Sequence, residues 1–597
     1  QEIGDNWNVE GTVKQMLAEG VKKVSILSED PSRHKHLACK EVKSLHRDSI
    51  ITEQEELSKY QGVSVLIFDQ TCAAEKRRKR KRGLMEDPVK RVVINPEVCE
   101  GCGDCSIQSS CVSIEPLETS LGRKRKINQS NCNKDYTCIK GFCPSFITVD
   151  AQLKSDTVFR EIGDLPDPER NINNEISNIM LTGIGGTGVL TISAILAYAA
   201  HFEDKDSSVM DMTGLAQKGG AVWSHIKIYE KGIKPFSQKI SPGSADLLLA
   251  CDAVVGTKPE IQEVVSDEKT TTVINNNTIP VSDFVTDREL DFKDNEVLEM
   301  ITKTTKKVAS SVPAIKISEV LSGDAIGTNM VMLGSAYQNG LIPLKAENIV
   351  NAIKLNGVGI ERNIYNFNLG RLYVIDPENE LFDFLSKDKI RELGFEELYE
   401  DRLSRIEKYD QRVVKDFQKT KEGIDSLLST EVDSERLNID AIKELYRVFA
   451  IKDEYEVARM HLETTSSVLD GQFKDWKNLS FYLSPPMLSF IKDKRTGRPR
   501  KIKVPGYIAI PMFKLLRSLS FLRGTIFDPL NLTSDRRRDL KHKRIFKQKI
   551  ADINKLNSGE KAKKLRDLIT ASSNVKGYGP VRHEAFIKFK DQSNQIK

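Results

Sequence analysis

Hydrophobic and polar positions in the first 75 residues follow the pattern of an α/β fold. A helix is predicted from Val13 to Glu19, and buried strands are predicted at Val21–Leu27 and Val63–Asp69, where β-branched residues are concentrated. Two strands of parallel type are too few for a sheet with its own core. We therefore expect residues 1–75 to be the C-terminal edge of an α/β domain that begins upstream, in a longer protein.

A second alternation of strands and helices runs from Ile176 to about Pro377, which predicts a further α/β domain over residues 175–385. From about Phe395 the pattern changes to long, charged amphipathic runs, so a mainly helical domain is predicted over residues 395–597. The strands predicted in the α/β domain are Asn178–Thr182, Ser208–Asp211, Ala221–Ile228, Leu247–Ala250 and Thr272–Asn275, and the helical runs are Leu398–Leu428 and Asn438–Met460.

The composition excludes several classes of protein. At 597 residues the chain is too long for one hydrophobic core, and 39% hydrophobic with 29% charged residues is an ordinary globular balance. No apolar run approaches the roughly 20 residues of a membrane-spanning helix, and no secretory signal opens the sequence. We expect a multidomain cytoplasmic protein with no membrane partner.

Positive charge is concentrated in one run of seven basic residues, Lys76–Arg82. The net charge is +5 and would be −2 without this run, so the basic character of the chain is local. Such runs occur in nucleic-acid-binding proteins, but no aromatic residue interleaves with this one and no nucleic-acid-binding signature surrounds it. We interpret residues 76–90 as a basic linker and expect no nucleic-acid partner. An enzyme acting on nucleic acid is the least favoured alternative.

Seven of the ten cysteines lie within 45 residues of one another. In a long chain without a secretory signal, this concentration indicates metal ligation in a reducing compartment and not a set of disulfides. The seven are Cys99, Cys102, Cys105, Cys111, Cys132, Cys138 and Cys143, whereas Cys39, Cys72 and Cys251 are scattered and are interpreted as inert thiols.

The spacing Cys99-x-x-Cys102-x-x-Cys105, together with Cys143 followed by a proline, indicates a ferredoxin-like iron–sulfur site. Three thiolates on a tight loop can hold three corners of a [4Fe-4S] cube, and a distant Cys-Pro supplies the fourth. The two glycines inside the loop allow backbone N–H groups to approach the cluster, which raises its reduction potential. A zinc site usually has two Cys-x-x-Cys pairs and is the poorer match.

A glycine-rich motif, Gly183-Ile-Gly-Gly-Thr-Gly188, follows a predicted strand and opens an apolar helix. Its spacing meets the dinucleotide fingerprint, and Asp211 ends the next predicted strand, where a ribose-binding acid could lie. However, the loop Met212–Gly220 leads into a predicted strand, where a nicotinamide domain would place a crossover helix. Two interpretations stay open: an NAD(P)-linked iron–sulfur reductase, or a loop that holds another phosphate or a partner's backbone. The candidate binding residues are Gly183, Gly185, Gly186, Thr187 and Gly188.

Eight segments, in order along essentially the whole chain, together resemble the bacterial fused indolepyruvate ferredoxin oxidoreductases, which are 2-oxoacid:ferredoxin oxidoreductases. The segments are Asp69-Gln-Thr-Cys-Ala-Ala-Glu-Lys-Arg-Arg, Val98-Cys-Glu-Gly-Cys-Gly-Asp-Cys, Gly141-Phe-Cys-Pro-Ser-Phe, Met212-Thr-Gly-Leu-Ala-Gln-Lys-Gly-Gly, Lys452-Asp-Glu-Tyr-Glu-Val-Ala-Arg, Leu483-Ser-Pro-Pro, Leu522-Arg-Gly-Thr-Ile-Phe-Asp and Lys576-Gly-Tyr-Gly.

The resemblance implies a thiamine-diphosphate-dependent enzyme that decarboxylates an arylpyruvate, forms an acyl-CoA with coenzyme A and sends electrons to ferredoxin. In that family a Gly-Asp-Gly motif and a following Asn hold thiamine diphosphate and magnesium, upstream of where this chain starts. Gly4-Asp5-Asn6-Trp7 lacks that motif. The chain is thus expected to hold the edge of the thiamine domain, a ferredoxin-like module over residues 91–150, a gamma-type α/β domain and the helical domain. Alone it is expected to be inactive.

The expected partners are ferredoxin, the upstream thiamine-diphosphate region and a second copy of the chain. Ferredoxins are typically acidic, so the basic runs Lys76–Arg82 and Lys494–Lys503 are candidate docking patches that would act mainly on the association rate. The alternative is that both runs are solvated charged segments without a partner.

The first [4Fe-4S] cube leaves three of these seven cysteines without a role: Cys111, Cys132 and Cys138. The segment Cys132-Asn-Lys-Asp135-Tyr-Thr-Cys138 repeats the cysteine spacing with an aspartate in the middle position. We predict a second cluster with Asp135 as a ligand. Because a carboxylate oxygen binds such a site less firmly than a thiolate, this cluster is expected to interconvert between four-iron and three-iron forms. The alternative is one cube and three buried thiols.

Overall fold

The computed structural model divides the chain into one unit formed by residues 1–88 and 487–500 and another formed by residues 89–486 and 501–597. None of the described helices is both long and apolar enough to cross a membrane. The described residues are 8–153, 159–170, 175–185, 188–213, 220–277, 287, 294–387, 393–428, 435–485, 490–493, 497–556 and 558–596.

The first unit contains a three-stranded parallel sheet in the order β2-β1-β3. Strand β1 is central, and its buried residues Val24 and Ile26 pack with Val13 of α1 in one core. The predicted helix and both predicted strands are present. Strand β2 was not predicted, because its short, half-buried sequence contains no apolar run. The elements are α1 (Val9–Ala18), β1 (Lys23–Ser28), β2 (Val42–His46), α2 (Ile50–Ser58), β3 (Ser64–Asp69) and α3 (Ala73–Lys81).

Most of the basic run Lys76–Arg82 lies in helix α3, whereas the sequence suggested a linker. Lysine and arginine are good helix formers, and two acidic residues reduce the repulsion between them. Lys76 pairs with Glu29 at 3.0 Å, and Arg78 pairs with Glu75 of its own helix at 3.4 Å. The run is therefore a helix with a strongly basic surface.

The cysteine-containing module is built on a four-stranded antiparallel sheet in the order β15-β14-β7-β4. Strands β14 and β15 come from the region predicted as mainly helical. Strand β14 was missed because its middle is polar and its register shifts twice, with positive φ angles of 51° at Asp475 and 54° at Asn478. The elements are β4 (Lys90–Ile94), α4 (Asp104–Ser109), β5 (Ile114–Leu117), β6 (Lys124–Ile127), β7 (Phe146–Leu153), β14 (Phe473–Leu483) and β15 (Ile502–Pro505).

The second α/β region has a six-stranded sheet in the order β13-β12-β11-β8-β10-β9. The first four strands are parallel, and β10 and β9 continue the sheet in antiparallel fashion. Its central strands are apolar throughout because both faces are covered: Leu247 and Leu249 lie in one core and Leu248 in another. The strands are β8 (Ile176–Ile184), β9 (Lys205–Thr213), β10 (Ala221–Glu230), β11 (Leu247–Ala250), β12 (Thr271–Asn275) and β13 (Lys307–Val312), which confirms all five predicted strands.

Two glycines allow the helices beside this sheet to pack closely. A Cβ atom on Gly334 would lie 1.9 Å from the Phe367 carbonyl oxygen, and one on Gly370 would lie 1.9 Å from the Val331 carbonyl oxygen. The helices of the region are α5 (Val189–Phe202), α6 (Ala253–Gly256), α7 (Pro259–Gln262), α8 (Asp294–Thr304), α9 (Ala314–Ser322), α10 (Thr328–Gln338), α11 (Ala346–Asn356), α12 (Ile360–Ile375) and α13 (Asp383–Lys387).

The C-terminal region is mainly helical, as predicted, around a core that includes Phe417, Leu445 and Phe546. The predicted run Asn438–Met460 is divided between α16 and α17, because Asp453 caps α17 and forms buried ion pairs with Arg523 and Arg536 at 2.8 and 2.5 Å. The helices are α14 (Phe395–Tyr409), α15 (Val414–Leu428), α16 (Glu435–Phe449), α17 (Glu454–Asp470), α18 (Gly506–Ser518), α19 (Ser534–Ile553), α20 (Ser558–Ser573) and α21 (Gly579–Gln595).

Candidate metal centre

Four of the predicted ligand cysteines line one pocket of the module, and we call them the first cysteine group. Three lie on the loop after β4 and in the first turn of α4, and the fourth lies just before β7. The side chains of Phe142 and Phe146 complete the apolar wall of the pocket. The group consists of Cys99, Cys102 and Cys105, which are buried, and Cys143, which is half-buried.

Backbone N–H groups point at the sulfur atoms of this group. The Gly101 N–H donates to Cys99 Sγ at 3.3 Å, and the Ser145 N–H donates to Cys143 Sγ at 3.4 Å. Gly101 has a φ of +69°, and a Cβ atom there would lie 2.2 Å from the Arg123 carbonyl oxygen, so only glycine fits. Each sulfur thus accepts from the residue two positions later, an arrangement that stabilises thiolates bound to iron.

Burial raises the pKa of Cys102 and Cys105 and raises the pKa of Cys143 to about 11. The second cause is the other thiols of the group: Cys143 acts on Cys102, and Cys99 acts on Cys105 and Cys143. The four sulfurs are therefore electrostatic neighbours in an apolar pocket. Metal binding at these sulfurs would release the protons of the thiols it ligates.

A second set of four side chains forms what we call the second cysteine group: Cys111, Cys132, Asp135 and Cys138. Burial raises the pKa of Cys138, and Cys132, Cys111 and Asp135 raise it further. The Lys134 N–H donates to Cys132 Sγ at 3.4 Å, and the Thr137 N–H donates to Asp135 Oδ1 at 3.2 Å. Asp135 thus has the same hydrogen bond, from the residue two positions later, as the cysteines.

The donor set of the first group fits an iron–sulfur cluster, with largely buried thiols, N–H groups directed at sulfur and a glycine where a side chain would collide. The second group shares the N–H bond to sulfur, and its three thiols are buried or half-buried. Among the described residues, no three His, Cys, Asp or Glu side chains gather closely enough to hold a single metal ion. A tetrahedral zinc site needs such a gathering, with every sulfur about 2.3 Å from one ion. A cluster differs in that each thiolate binds a different iron atom.

Side chains from the C-terminal region also reach the first cysteine group, and the sequence analysis assigned them no role. Lys452 lies 3.0 Å from Glu100, and the Tyr578 hydroxyl donates to the Val98 carbonyl oxygen at 2.6 Å. Lys501 donates to the Gly141 carbonyl oxygen at 2.5 Å. More than 350 residues separate each pair, so no local pattern could indicate these contacts, although Lys452 and Tyr578 lie in two of the segments that carried the resemblance.

The glycine-rich motif lies between the end of β8 and helix α5, as predicted. Gly183 belongs to β8, the Gly185 N–H donates to the Gly220 carbonyl oxygen at 2.8 Å, and Gly188 precedes α5 with a φ of +97°. Gly186 and Thr187 lie outside the described residues, as does most of the loop Met212–Gly220.

The strand arrangement differs from that of a dinucleotide-binding domain. Strand β9, which follows α5, pairs with β10 in antiparallel fashion and is separated from β8 by that strand. A dinucleotide fold would place the strand after α5 parallel to β8. Asp211 on β9 accepts hydrogen bonds from Ser193 and Ser224 at 3.2 and 2.5 Å. His225 is a buried strand residue that accepts from the Ile240 N–H at 3.2 Å.

Two family models match separate parts of the chain. Residues 178–373 match a family described as pyruvate ferredoxin/flavodoxin oxidoreductase, and residues 396–595 match a family of unknown function, DUF6537. The first match covers the six-stranded sheet and its helices. The second covers the helical region whose side chains reach the cysteines.

Curated relatives match about a third of the chain. Indolepyruvate oxidoreductase subunit IorB of Methanothermobacter thermautotrophicus is 28% identical over 183 residues, which are 30% of this chain and 87% of that protein. The common gamma subunit of the pyruvate/ketoisovalerate oxidoreductases of Pyrococcus furiosus is 32% identical over 178 residues, which are 29% of this chain and 82% of that protein. The chain belongs to the 2-oxoacid:ferredoxin oxidoreductase family. The resemblance found in the sequence is thereby confirmed.

Solved structures of 2-oxoacid:ferredoxin oxidoreductases are also similar to part of the chain. Pyruvate oxidoreductase subunit PORC of Thermotoga maritima is 18% identical, covers 33% of this chain and 96% of its own, and has a TM-score of 0.23. The 2-oxoglutarate:ferredoxin oxidoreductase of Magnetococcus marinus is 18% identical, covers 37% of this chain and 33% of its own, and has a TM-score of 0.25. The expected fold class, mixed α/β with a gamma-type region and a helical C-terminal region, is confirmed by the family match over residues 178–373 and by the observed sheet and helices.

Proposed function

We infer that this chain is the electron-carrying part of an arylpyruvate:ferredoxin oxidoreductase, with indolepyruvate as the candidate substrate. One observation carries the proposal: two groups of four ligand side chains lie in the same structural unit as the gamma-type region. The IorB relatives, which are named for indolepyruvate, support the substrate assignment.

In the proposed overall reaction, a 2-oxoacid and coenzyme A give an acyl-CoA, carbon dioxide, one proton and two electrons. Ferredoxin accepts the electrons one at a time. The carbon–carbon bond cleavage is assigned to a thiamine diphosphate and magnesium site, which the sequence analysis expects outside this chain. An iron–sulfur cluster would supply one-electron uptake and release between that site and ferredoxin.

The chain's own residues bind and insulate the redox groups in this proposal. The first cysteine group would hold one [4Fe-4S] cluster, and the second would hold another, with Asp135 as the fourth ligand. N–H groups such as that of Gly101 stabilise the sulfur ligands, and the aromatic wall formed by Phe142 and Phe146 limits the access of water. We propose no ligand for the glycine-rich motif Gly183–Gly188.

The test is reconstitution and electron transfer with the purified full chain. After anaerobic reconstitution with iron and sulfide, we expect about eight irons per chain, dithionite-reducible EPR signals and re-oxidation by ferredoxin. We also expect no indolepyruvate-dependent dye reduction when only thiamine diphosphate, magnesium and coenzyme A are added. Absence of bound iron after reconstitution, or indolepyruvate oxidation by the chain alone, would contradict the proposal.

A further inference from the structure

We propose that the C-terminal region matched by the family of unknown function is the electrostatic cover of the iron–sulfur module, and that it raises the reduction potentials of the clusters through Lys452, Arg582 and Lys501. The inference rests on the proposed function, because it concerns clusters held by the two cysteine groups. It assigns a role to residues 396–595, which neither the reaction nor the ligand sets require.

Lys452 lies at the turn between α16 and α17 and points at the loop of the first cysteine group. Its ammonium group donates to the carbonyl oxygens of Glu97, Val98 and Cys99 at 2.5, 3.4 and 3.2 Å. The side chain is only 13% exposed. A positive charge is therefore held against the backbone of a ligand cysteine in a place that water hardly reaches.

Glu100 directly follows Cys99 in the chain, and it links the C-terminal region to the iron–sulfur module. Its carboxylate lies 3.0 Å from Lys452 and 3.3 Å from Arg582 of α21, and all three side chains are largely buried. Arg582 also lies 2.8 Å from Asp539. Glu100 therefore joins Lys452 and Arg582 in one buried group of ion pairs beside the first cysteine group.

The segment Lys576-Gly-Tyr-Gly579 closes the cover over a ligand. Gly577 has a φ of +95°, and a Cβ atom there would lie 3.3 Å from Cys102 Sγ. A Cβ atom on Gly579 would lie 2.4 Å from the Phe142 ring. The Tyr578 hydroxyl between them donates to the Val98 carbonyl oxygen at 2.6 Å. The two glycines let this loop lie directly against the sulfur, and the tyrosine anchors it there.

Lys501 places a further positive charge beside Cys143 of the first group. Its ammonium group donates to the carbonyl oxygens of Gly141 and Cys143 at 2.5 and 3.2 Å and lies 4.6 Å from the centre of the Phe146 ring. It interacts electrostatically with Cys143 and Cys105 of the first group and with Cys138 of the second. Lys501 therefore acts on both groups, whereas Lys452 and Arg582 act on the first.

The direction of the effect follows from charge alone. Reduction adds one negative charge to a cluster, and a fixed cation nearby stabilises the reduced form, most strongly where water is excluded. Removing a cation from the cover should lower the potential, and removing Glu100 should raise it. If the C-terminal region only shielded the cluster from solvent, removing a cation and removing Glu100 would not shift the reduction potential in opposite directions.

The experiment is an anaerobic redox titration of the reconstituted full chain at pH 7, followed by EPR. Each signal is assigned with Cys105→Ala, which removes the first cluster, and Cys138→Ala, which removes the second. For Lys452→Met we expect an about tenfold smaller equilibrium constant for reduction of the first cluster, which is about 59 mV for one electron. Glu100→Gln should shift the same potential upward, and Lys501→Met should lower both potentials.

Three comparisons separate charge from structure. Lys452→Arg keeps the charge and should restore the wild-type potential. Lys443→Met removes an exposed lysine from α16 and should change neither potential. If Lys452→Met fails to retain its cluster, two other variants test the inference. Glu100→Gln should raise the potential of the first cluster, and Lys501→Met should lower the potentials of both clusters. Unchanged potentials in these two variants, or shifts of the same sign, overturn the inference. Absence of any cluster signal in the wild type would instead contradict the proposed function.

Discussion

The two cysteine groups have the same local spacing but different surroundings. Around the first group, the C-terminal region contributes a buried lysine, a buried arginine and a glycine-tyrosine loop. The second group is surrounded mainly by its own module: Arg91 acts on Cys132, and Lys90 lies 4.9 Å from the centre of the Tyr136 ring. Lys501 reaches it from the C-terminal region. Equal ligand spacing therefore does not imply equal redox properties.

The ligand chemistry differs as well. The first group has four sulfur donors, whereas the second has three and the carboxylate of Asp135. Thr137 donates to that carboxylate through its N–H and its hydroxyl at 3.2 and 3.0 Å. These bonds orient the oxygen atoms but leave them harder ligands than sulfur, so an iron atom bound at Asp135 would be held less firmly than one bound by a thiolate. The comparison predicts a tightly held first cluster and a labile second one.

The largest expected effect is the loss of one cluster. Cys105→Ala should reduce the iron content of the reconstituted chain from about eight to about four per chain and abolish electron transfer to ferredoxin. Iron and sulfide analysis with EPR measures this. Cys39→Ala, which changes an exposed cysteine of the first unit, is the matched control and should keep all the iron. Full iron content in Cys105→Ala would show that this residue is not a ligand.

The lability of the second cluster should depend on Asp135. Mild oxidation of the wild type should produce a three-iron EPR signal, because the iron at the carboxylate leaves first. Asp135→Cys should abolish that signal while about eight irons stay bound. Asp135→Asn, which removes the charge and keeps the shape, should give the three-iron form even before oxidation. A three-iron signal that persists in Asp135→Cys would exclude this residue as the labile corner.

Loosening the cover should affect the first cluster alone. In Gly577→Ala, the new methyl group meets Val581 at 2.9 Å and Cys102 at 3.2 Å, so the loop must move away from the sulfur. We expect bleaching of the first cluster in air to become several times faster, with the second cluster unchanged. The control is Gly524→Ala, which has a similar φ of +71° but open space around the new methyl group. It carries the same backbone strain of about 1–2 kcal/mol and should not change either rate.

The smallest expected effect concerns the basic helix α3. Reversing the charges of Arg77, Lys79 and Arg82 should raise the Michaelis constant for ferredoxin a few-fold at low salt, mainly through a slower association. The difference should vanish at high ionic strength, where charges more than about one Debye length apart are screened. An unchanged Michaelis constant at low salt would show that α3 is not part of the ferredoxin docking surface. The other candidate run, Lys494–Lys503, lies partly outside the described residues.

Local patterns predicted most of the secondary structure correctly. Strands such as Leu247–Ala250 and Thr271–Asn275 consist of buried apolar residues, and helices such as α15 and α16 carry an apolar stripe. Strands β2 and β14 were missed because neither has a clear period of two. Strand β2 is a short edge strand, and the long interior strand β14 has a polar middle with two register shifts. The sequence predicted a strand at Ala221–Ile228 where a dinucleotide fold has a crossover helix, but it did not predict that β10 lies between β8 and β9, because that order depends on pairing in the tertiary structure.

The sequence by itself determined the ligand spacing, including the aspartate in the second triple, because loop ligands a few residues apart are brought together by local backbone geometry. It also carried the family resemblance. The tertiary structure decided which four side chains share a pocket and which charges surround them. Lys452, Lys501 and Arg582 are more than 350 residues from the residues of the module that they contact, and the packing of the C-terminal region on the module places their charges beside the cysteines.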